Sequence, residues 1–420
     1  MMSSAAQARQ PGMKDLFANR FVQSILLSGL FLQMGIWIRN FAILLFVTEQ
    51  TNKDPVAVSL ISLAEFAPIF IFSFVGGTFA DRWRPKRTMI ASDLLSALSV
   101  FVVLLALVYG GWEAVFFATL VSSMLSQFSQ PSGMKLFKLH VPESLMHVGM
   151  SMYQTIMSVF MVLGPALGTF IYFRFGIETA IALMGACFLL SAAALTMLPP
   201  DRRTEAAPTT KLAYEMKMGL QYVARNKVFV YMGGFFLVSG LGLGLINPLG
   251  IFLITEQLRL SPDQLQWLTA ANGTGMILGG FLAMALFKKL SPQTMLLIGL
   301  ALNAAAVSVL GSAESVGIAL AAQWFSGLMI PFIHISCNTL VMNHAESSFV
   351  GRVNGILNPL FMGGMVATMS LVGVLKEALP LNQMYLLASA FFLLGALGAI
   401  PLLRMKASRS IGAAVHVHHH

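Results

Sequence analysis

Apolar and polar residues alternate along this chain in long blocks. Apolar runs occupy 21–49, 56–79, 88–109, 113–134, 148–173, 177–198, 228–255, 264–287, 292–312, 315–342, 350–374 and 381–403. Each is close to the roughly 20 residues that an α-helix needs to cross a hydrocarbon core. A backbone in lipid must satisfy its own hydrogen bonds, so runs of this length predict helices, twelve in all. The longest polar break, 199–227, follows the sixth run and contains Pro199, Pro200 and Pro208. Within it Leu212, Met216, Leu220 and Val223 recur at helical spacing beside Lys211, Lys217 and Arg225. That spacing predicts an amphipathic helix lying at a membrane surface. The expected order is an N-terminal segment 1–20, a six-helix bundle 21–198, a linker 199–227, a second six-helix bundle 228–404 and a tail 405–420. The expected fold is an all-α integral membrane protein built of two pseudo-symmetric bundles.

Composition narrows the class. Hydrophobic residues make up 57% of the chain and charged residues 10%, and mean hydropathy is +0.77. A soluble domain carries about 25% charge, which it needs to cover its surface. An ordinary soluble enzyme, a disordered chain and a collagen-like chain are therefore excluded. Cys187 and Cys337 both lie in apolar runs; two such residues make no disulfide framework, and their spacing suits no zinc site. No resident metal or cofactor is expected.

The net charge of +9 is explained by topology. Of the 26 Lys and Arg, 21 fall at the two termini and in the even-numbered breaks. The opposite side has Lys53, Arg174, Arg259 and Lys376, and Arg39 lies inside a span. Cations accumulate on the cytoplasmic side, so both termini are expected there, in an inner or plasma membrane. A nucleic-acid partner is not needed to account for the charge. No removable signal peptide is expected. His416, His418, His419 and His420 read as a purification-tag remnant and are set aside.

The second half echoes the first at a single offset. Gly77 and Gly280 each precede a basic turn, and Glu143-Ser144 and Glu346-Ser347 each open a span; both pairs are separated by 203 positions. A duplicated six-helix unit is the expected build of an alternating-access transporter, with the substrate path between the halves.

Residues 76–87 read Gly-Gly-Thr-Phe-Ala-Asp-Arg-Trp-Arg-Pro-Lys-Arg. This resembles the signature between the second and third helices of the major facilitator superfamily, carried here by Gly77, Asp81, Arg82, Lys86 and Arg87. Arg84-Pro85 stands where the family pattern has a glycine. The resemblance implies a conformational latch, with Asp93 as a candidate partner for Arg82. Gly164-Pro165-Ala166-Leu167-Gly168 resembles the core of a motif found in exporters of that superfamily that work as antiporters, though Phe160 replaces its upstream glycine. The arginine that many proton-coupled members carry on the fourth helix is absent; Gln127 and Gln130 are the polar residues there. Val141-Pro142-Glu143 and Gly351-Arg352-Val353 resemble the branch holding enterobactin exporters and macrolide efflux pumps.

Polar groups within spans supply candidate site residues. Arg39, beside Asn40, and Glu65 are the deepest charges, and charge in lipid faces a cavity or a partner. Two readings stay open: a fixed bridge between neighbouring helices, or a coupling site where Glu65 exchanges a proton for substrate or for Arg39. Burial and a nearby cation act oppositely on the proton affinity of Glu65. Gln127, Gln154, His334, Asn338 and Asn358 are further candidates for the cavity wall, with helix–helix hydrogen bonding as their alternative use.

No catalytic constellation emerges, and no Gly-x-x-x-x-Gly-Lys-Ser/Thr loop is present to bind ATP. The expectation is a non-enzymatic, monomeric secondary transporter. Its partners are a small-molecule substrate, protons and the lipid bilayer. The favoured substrates are amphiphilic or drug-like compounds or a siderophore, moved outward. A lipid or lysolipid translocator and a nutrient importer are the alternatives. A membrane sensor would need a soluble domain for which the chain has no room.

Overall fold

The computed structural model describes residues 19–82, 84–140, 143–198, 212–287, 289–346 and 349–405. The expected N-terminal segment up to 18, the linker before Leu212 and the tail after 405 lie outside the described residues. The helices are α1 (Arg20–Gln50), α2 (Pro55–Arg82), α3 (Pro85–Val108), α4 (Ala114–His140) and α5 (Glu143–Thr196). They continue with α6 (Leu212–Arg225), α7 (Lys227–Phe252), α8 (Leu265–Leu286), α9 (Pro292–Gly311) and α10 (Val316–His344). The last are α11 (Val350–Met369), α12 (Val372–Ala378) and α13 (Leu381–Ala399).

Among the described residues, nine helices are long and apolar enough to cross a membrane, or ten when the bent pair α11 and α12 is one span. The difference from twelve has two sources. The runs 148–173 and 177–198 share α5, which breaks at Gly176, and the described apolar part of α4 stops at Ser129. Gly176 has φ 79°, a left-handed conformation that glycine adopts without a Cβ clash. The structure is thus consistent with twelve spans.

Local sequence sets the helix starts. Asp54 accepts from the backbone of Val56 and Ala57, Asn226 from Val228 and Ser291 from Thr294. These side chains satisfy amide donors that the first turn leaves open. Pro55, Pro85 and Pro292 occupy first helical positions, where proline loses no hydrogen bond. Large apolar side chains such as Leu105, Phe281 and Leu397 are more than half exposed, at 61, 64 and 59%. Outward faces of this kind suit lipid and not water.

Two compact units form, one of residues 1–43 with 75–207 and one of 44–74 with 208–420. In the first, α3 packs on α4 and on α5. In the second, α9 packs on α10 and α13, and α7 on α11 and α13. The third helix of each half therefore meets the fourth and the last, which is the packing a repeat requires.

In the second unit the contacts run through glycines. Gly240 and Gly244 of α7 lie against the carbonyls of Phe361 and Met365, while Gly275 and Gly279 of α8 lie against those of Trp324 and Leu328. Thr368 also donates to the carbonyl of Leu241 at 2.8 Å. Small residues allow such backbone approach, which drives helix association where lipid is the solvent. A side chain at Gly275 would strike backbone that cannot rotate away. Gly275→Val is therefore expected to cost about 1–3 kcal/mol, read as a lowered melting temperature of the detergent-purified protein; an unchanged melting profile would contradict this packing.

Candidate functional site

The first unit encloses charge. Arg39 is 4% exposed, and Asp93 2%. The Arg39 guanidinium donates from Nε to Asn40 Oδ1 at 2.9 Å and from Nη1 to Ser122 Oγ at 2.5 Å. Asp93 Oδ2 accepts from Ser191 Oγ at 2.6 Å, and Ser191 Oγ pairs with Ser28 Oγ at 2.8 Å. Arg39 and Asp93 line one internal cavity with serines of α3 and α4. Asp93 sits eight residues into α3, about 12 Å along its axis. It faces the bundle interior, and the side chain of its expected partner, Arg82, lies outside the described residues.

Glu65 is half-buried on α2. Gln127 donates to Ser126 Oγ at 3.2 Å on its own helix. His334 and Asn338 of α10 and Asn358 of α11 are exposed. The surroundings of Gly77 and the side chains of Asp81, Arg82 and Gln154 lie outside the described residues. Lys86 donates to the carbonyl of Thr196 at 3.1 Å and to that of Leu198. It thereby occupies the carbonyl end of α5, where a cation is favoured. Arg87 is exposed.

The glycines of the exporter-like motif are buried against α1. A Cβ at Gly164 would meet the Trp37 ring, and one at Gly168 would lie 2.8 Å from both the Trp37 carbonyl and Phe41 Cβ. Trp37 and Phe41 stack with ring centroids 6.0 Å apart. Pro165 stands inside α5 and removes one backbone donor there.

The amphipathic helix forms as α6, but its predicted stripe divides. Val223 is buried, while Met216 and Leu220 are exposed at 36 and 56%. Tyr222 makes the docking contact instead, stacking on Phe349 at 4.2 Å and accepting from the Glu346 amide at 3.1 Å. Arg352 covers the Phe349 ring from 4.9 Å.

Sequence reading misses the serines. Ser28, Ser122 and Ser191 carry cross-helix hydrogen bonds, yet serine in apolar helices is common and most often bonds back along its own helix. It also misses the Lys376–Glu256 ion pair at 2.6 Å, whose members are 120 positions apart.

The geometry makes the α1–α5 contact testable. Gly168→Val is expected to reduce substrate turnover at least tenfold while binding persists, because the added methyls would pry α5 from the Trp37 carbonyl. Transport at the unmodified rate would show that this contact does not matter.

The family model of the Major Facilitator Superfamily matches residues 25–245 and 232–415. The chain is 26% identical to an uncharacterised MFS-type transporter, YkuC of Bacillus subtilis, over 89% of each chain. It is 25% identical to the multidrug efflux pump Tap of Mycolicibacterium fortuitum, covering 85% of this chain and 90% of Tap. It is 22% identical to macrolide efflux protein A of Streptococcus pyogenes, covering 85% and 89%. Among solved structures, the nucleoside transporter NupG superposes with a TM-score of 0.72 at 13% identity, over 92% of this chain and 100% of that one. A POT family transporter in complex with 5-aminolevulinic acid gives 0.73 at 12%, over 94% and 97%. At such identities the structures speak for the fold alone. With the family model spanning nearly the whole chain, and its repeat and packing matching that fold, the chain belongs to the Major Facilitator Superfamily of membrane transporters.

Proposed function

We propose that this transporter is an exporter of small amphiphilic or drug-like molecules, a siderophore among them, driven by exchange against protons through alternating access. The observation that carries the reading is the buried Gly164-Pro165-Gly168 face, with its glycines packed on Trp37 and Phe41 of α1, in a segment that resembles the core of the antiporting-exporter motif. The names of two relatives, a multidrug efflux pump and a macrolide efflux protein, support the substrate class. Buried charge in the first unit supports coupling to an ion, since charge within a span is costly and is retained where it works. The turn around Asp81 and Arg82 acts as the latch, biasing one conformation without touching cargo. The protein acts as a monomer in the cytoplasmic membrane.

Reconstitution tests this. Proteoliposomes holding the full chain, with an imposed proton gradient, are expected to move erythromycin or ethidium against its own gradient and to show proton counterflow on adding either compound. Movement of neither compound under any gradient, with uptake of a nucleoside or peptide instead, would overturn the reading. Orientation has its own check. A cysteine placed at exposed Arg84 is expected to react with a membrane-impermeant maleimide in inverted vesicles and not in intact cells; labelling from outside would reverse the topology.

A further inference from the structure

The cavity between Arg39 and Asp93 is small. About 10 Å³ is open to the centre of a water, room for a single molecule. Ser92, Ser122, Ser126 and Ser129 share its wall. Ser129 is 1% exposed, and its hydroxyl has no partner among the described residues. A buried hydroxyl without a partner beside a cavity of this size points to an ordered water as its missing partner. Asp93 is also under-satisfied. A carboxylate offers about four acceptor positions, and one hydrogen bond, from Ser191, reaches it among the described residues.

We propose that Asp93 is the group that binds and releases the transported proton, through one water held in this cavity between Arg39 and Ser129. This rests on the proton-coupled reading above and gives it an address inside the first bundle, in place of Glu65. The step is a relay: as the water passes one of its protons to a carboxylate oxygen of Asp93, it takes up a proton arriving from bulk water, so the water is restored and the neutral acid forms; the reverse step returns the proton to bulk water.

Three observations favour a proton over another ligand. First, the guanidinium of Arg39 stands on the same wall, and a metal cation would meet that charge at close range. A proton needs no cage of oxygens and cancels the carboxylate charge outright. Second, the cavity wall holds no competing acid among the described residues. Arg39 is the charged group contributed by α1, and α4 contributes serines. From α5 come Ser191 and, next to the wall residue Phe188, the buried thiol Cys187. Lys86, on α3 itself, directs its charge to the carbonyls that end α5.

Third, the repeat supplies a control. At the offset of 203 positions, Asp93 corresponds to Leu296 and Ser122 to Phe325. Leu296 is fully buried. The duplicated bundle packs its third helix against the fourth and last without any charge at these places. The fold does not require Asp93, so its cost is explained by work.

The experiment is infrared difference spectroscopy between acidic and alkaline pH on the full chain in lipid nanodiscs, with substrate-elicited proton release measured in proteoliposomes using erythromycin and ethidium. Asp93→Asn is expected to remove a protonated-carboxyl band and to cut proton release at least tenfold, with ethidium binding retained. Glu65→Gln is expected to keep the band. Ser191→Ala is expected to shift the band, because the hydroxyl bonded to Oδ2 is gone; this variant decides the matter if Asp93→Asn fails to fold. A band unchanged in Asp93→Asn, or unmoved in Ser191→Ala, overturns the assignment. Export by the unmodified protein without any proton movement would overturn the coupling reading, and the band would then still report whether Asp93 titrates.

Discussion

Backbone meeting backbone through glycine is the contact on which the rest of this protein depends. Lipid tails are as apolar as leucine, so the hydrophobic effect that assembles soluble cores does little to press one membrane helix on another. Attraction must come from close fit and from hydrogen bonds across helices. Gly275 and Gly279 against Trp324 and Leu328, and Gly240 and Gly244 against Phe361 and Met365, supply the fit in the second unit. Gly164 and Gly168 against Trp37 do so in the first. Only at that proximity do short side chains such as Ser28 and Ser191 reach one another across helices.

The elements legible in the sequence are those governed by chain-long constraints. Span length is fixed by membrane thickness, so the predicted apolar runs fall on helices, with 350–374 divided between α11 and α12. The division of α5 is legible because Arg174 and Gly176 interrupt the apolar run, and Gly176 is the residue that turns left-handed. The buried site is legible in part. A charge inside a span stands out, and Arg39 is visible for that reason. Asp93 is visible too, as a candidate partner for Arg82, but its bond to Ser191 is not. The serines are not legible. Ser24, Ser59 and Ser132 each bond back to the carbonyl four residues earlier, whereas Ser191 reaches Asp93 across 98 positions. Nothing in the local pattern separates the two uses.

The amphipathic helix shows a related limit. Period alone places Leu220 and Val223 on one face, and Val223 does become buried. The contact that docks α6 belongs to Tyr222, whose ring stacks and whose hydroxyl accepts a hydrogen bond at its rim. An aromatic with a polar tip suits a boundary between protein and headgroups. Hydrophobic periodicity has no means of ranking it above its aliphatic neighbours.

Duplication makes the cost of the buried charge open to argument. Insertion of an arginine at the centre of a membrane helix costs about 2.5–3.5 kcal/mol on translocon scales. Hydrogen bonds from a charged donor contribute about 1.5–3 kcal/mol each, and Arg39 donates to both Asn40 and Ser122. Those bonds alone are of a size to offset the insertion cost. Arg39 therefore does not need an ionised Asp93 as a permanent counter-ion, and Asp93 can be neutral in one state and charged in another without unfolding the bundle. A fixed ion pair would lose several kcal/mol whenever one partner was discharged. On the proposed assignment, holding the cation through groups such as the amide of Asn40 and the hydroxyl of Ser122 would leave the carboxyl free to cycle.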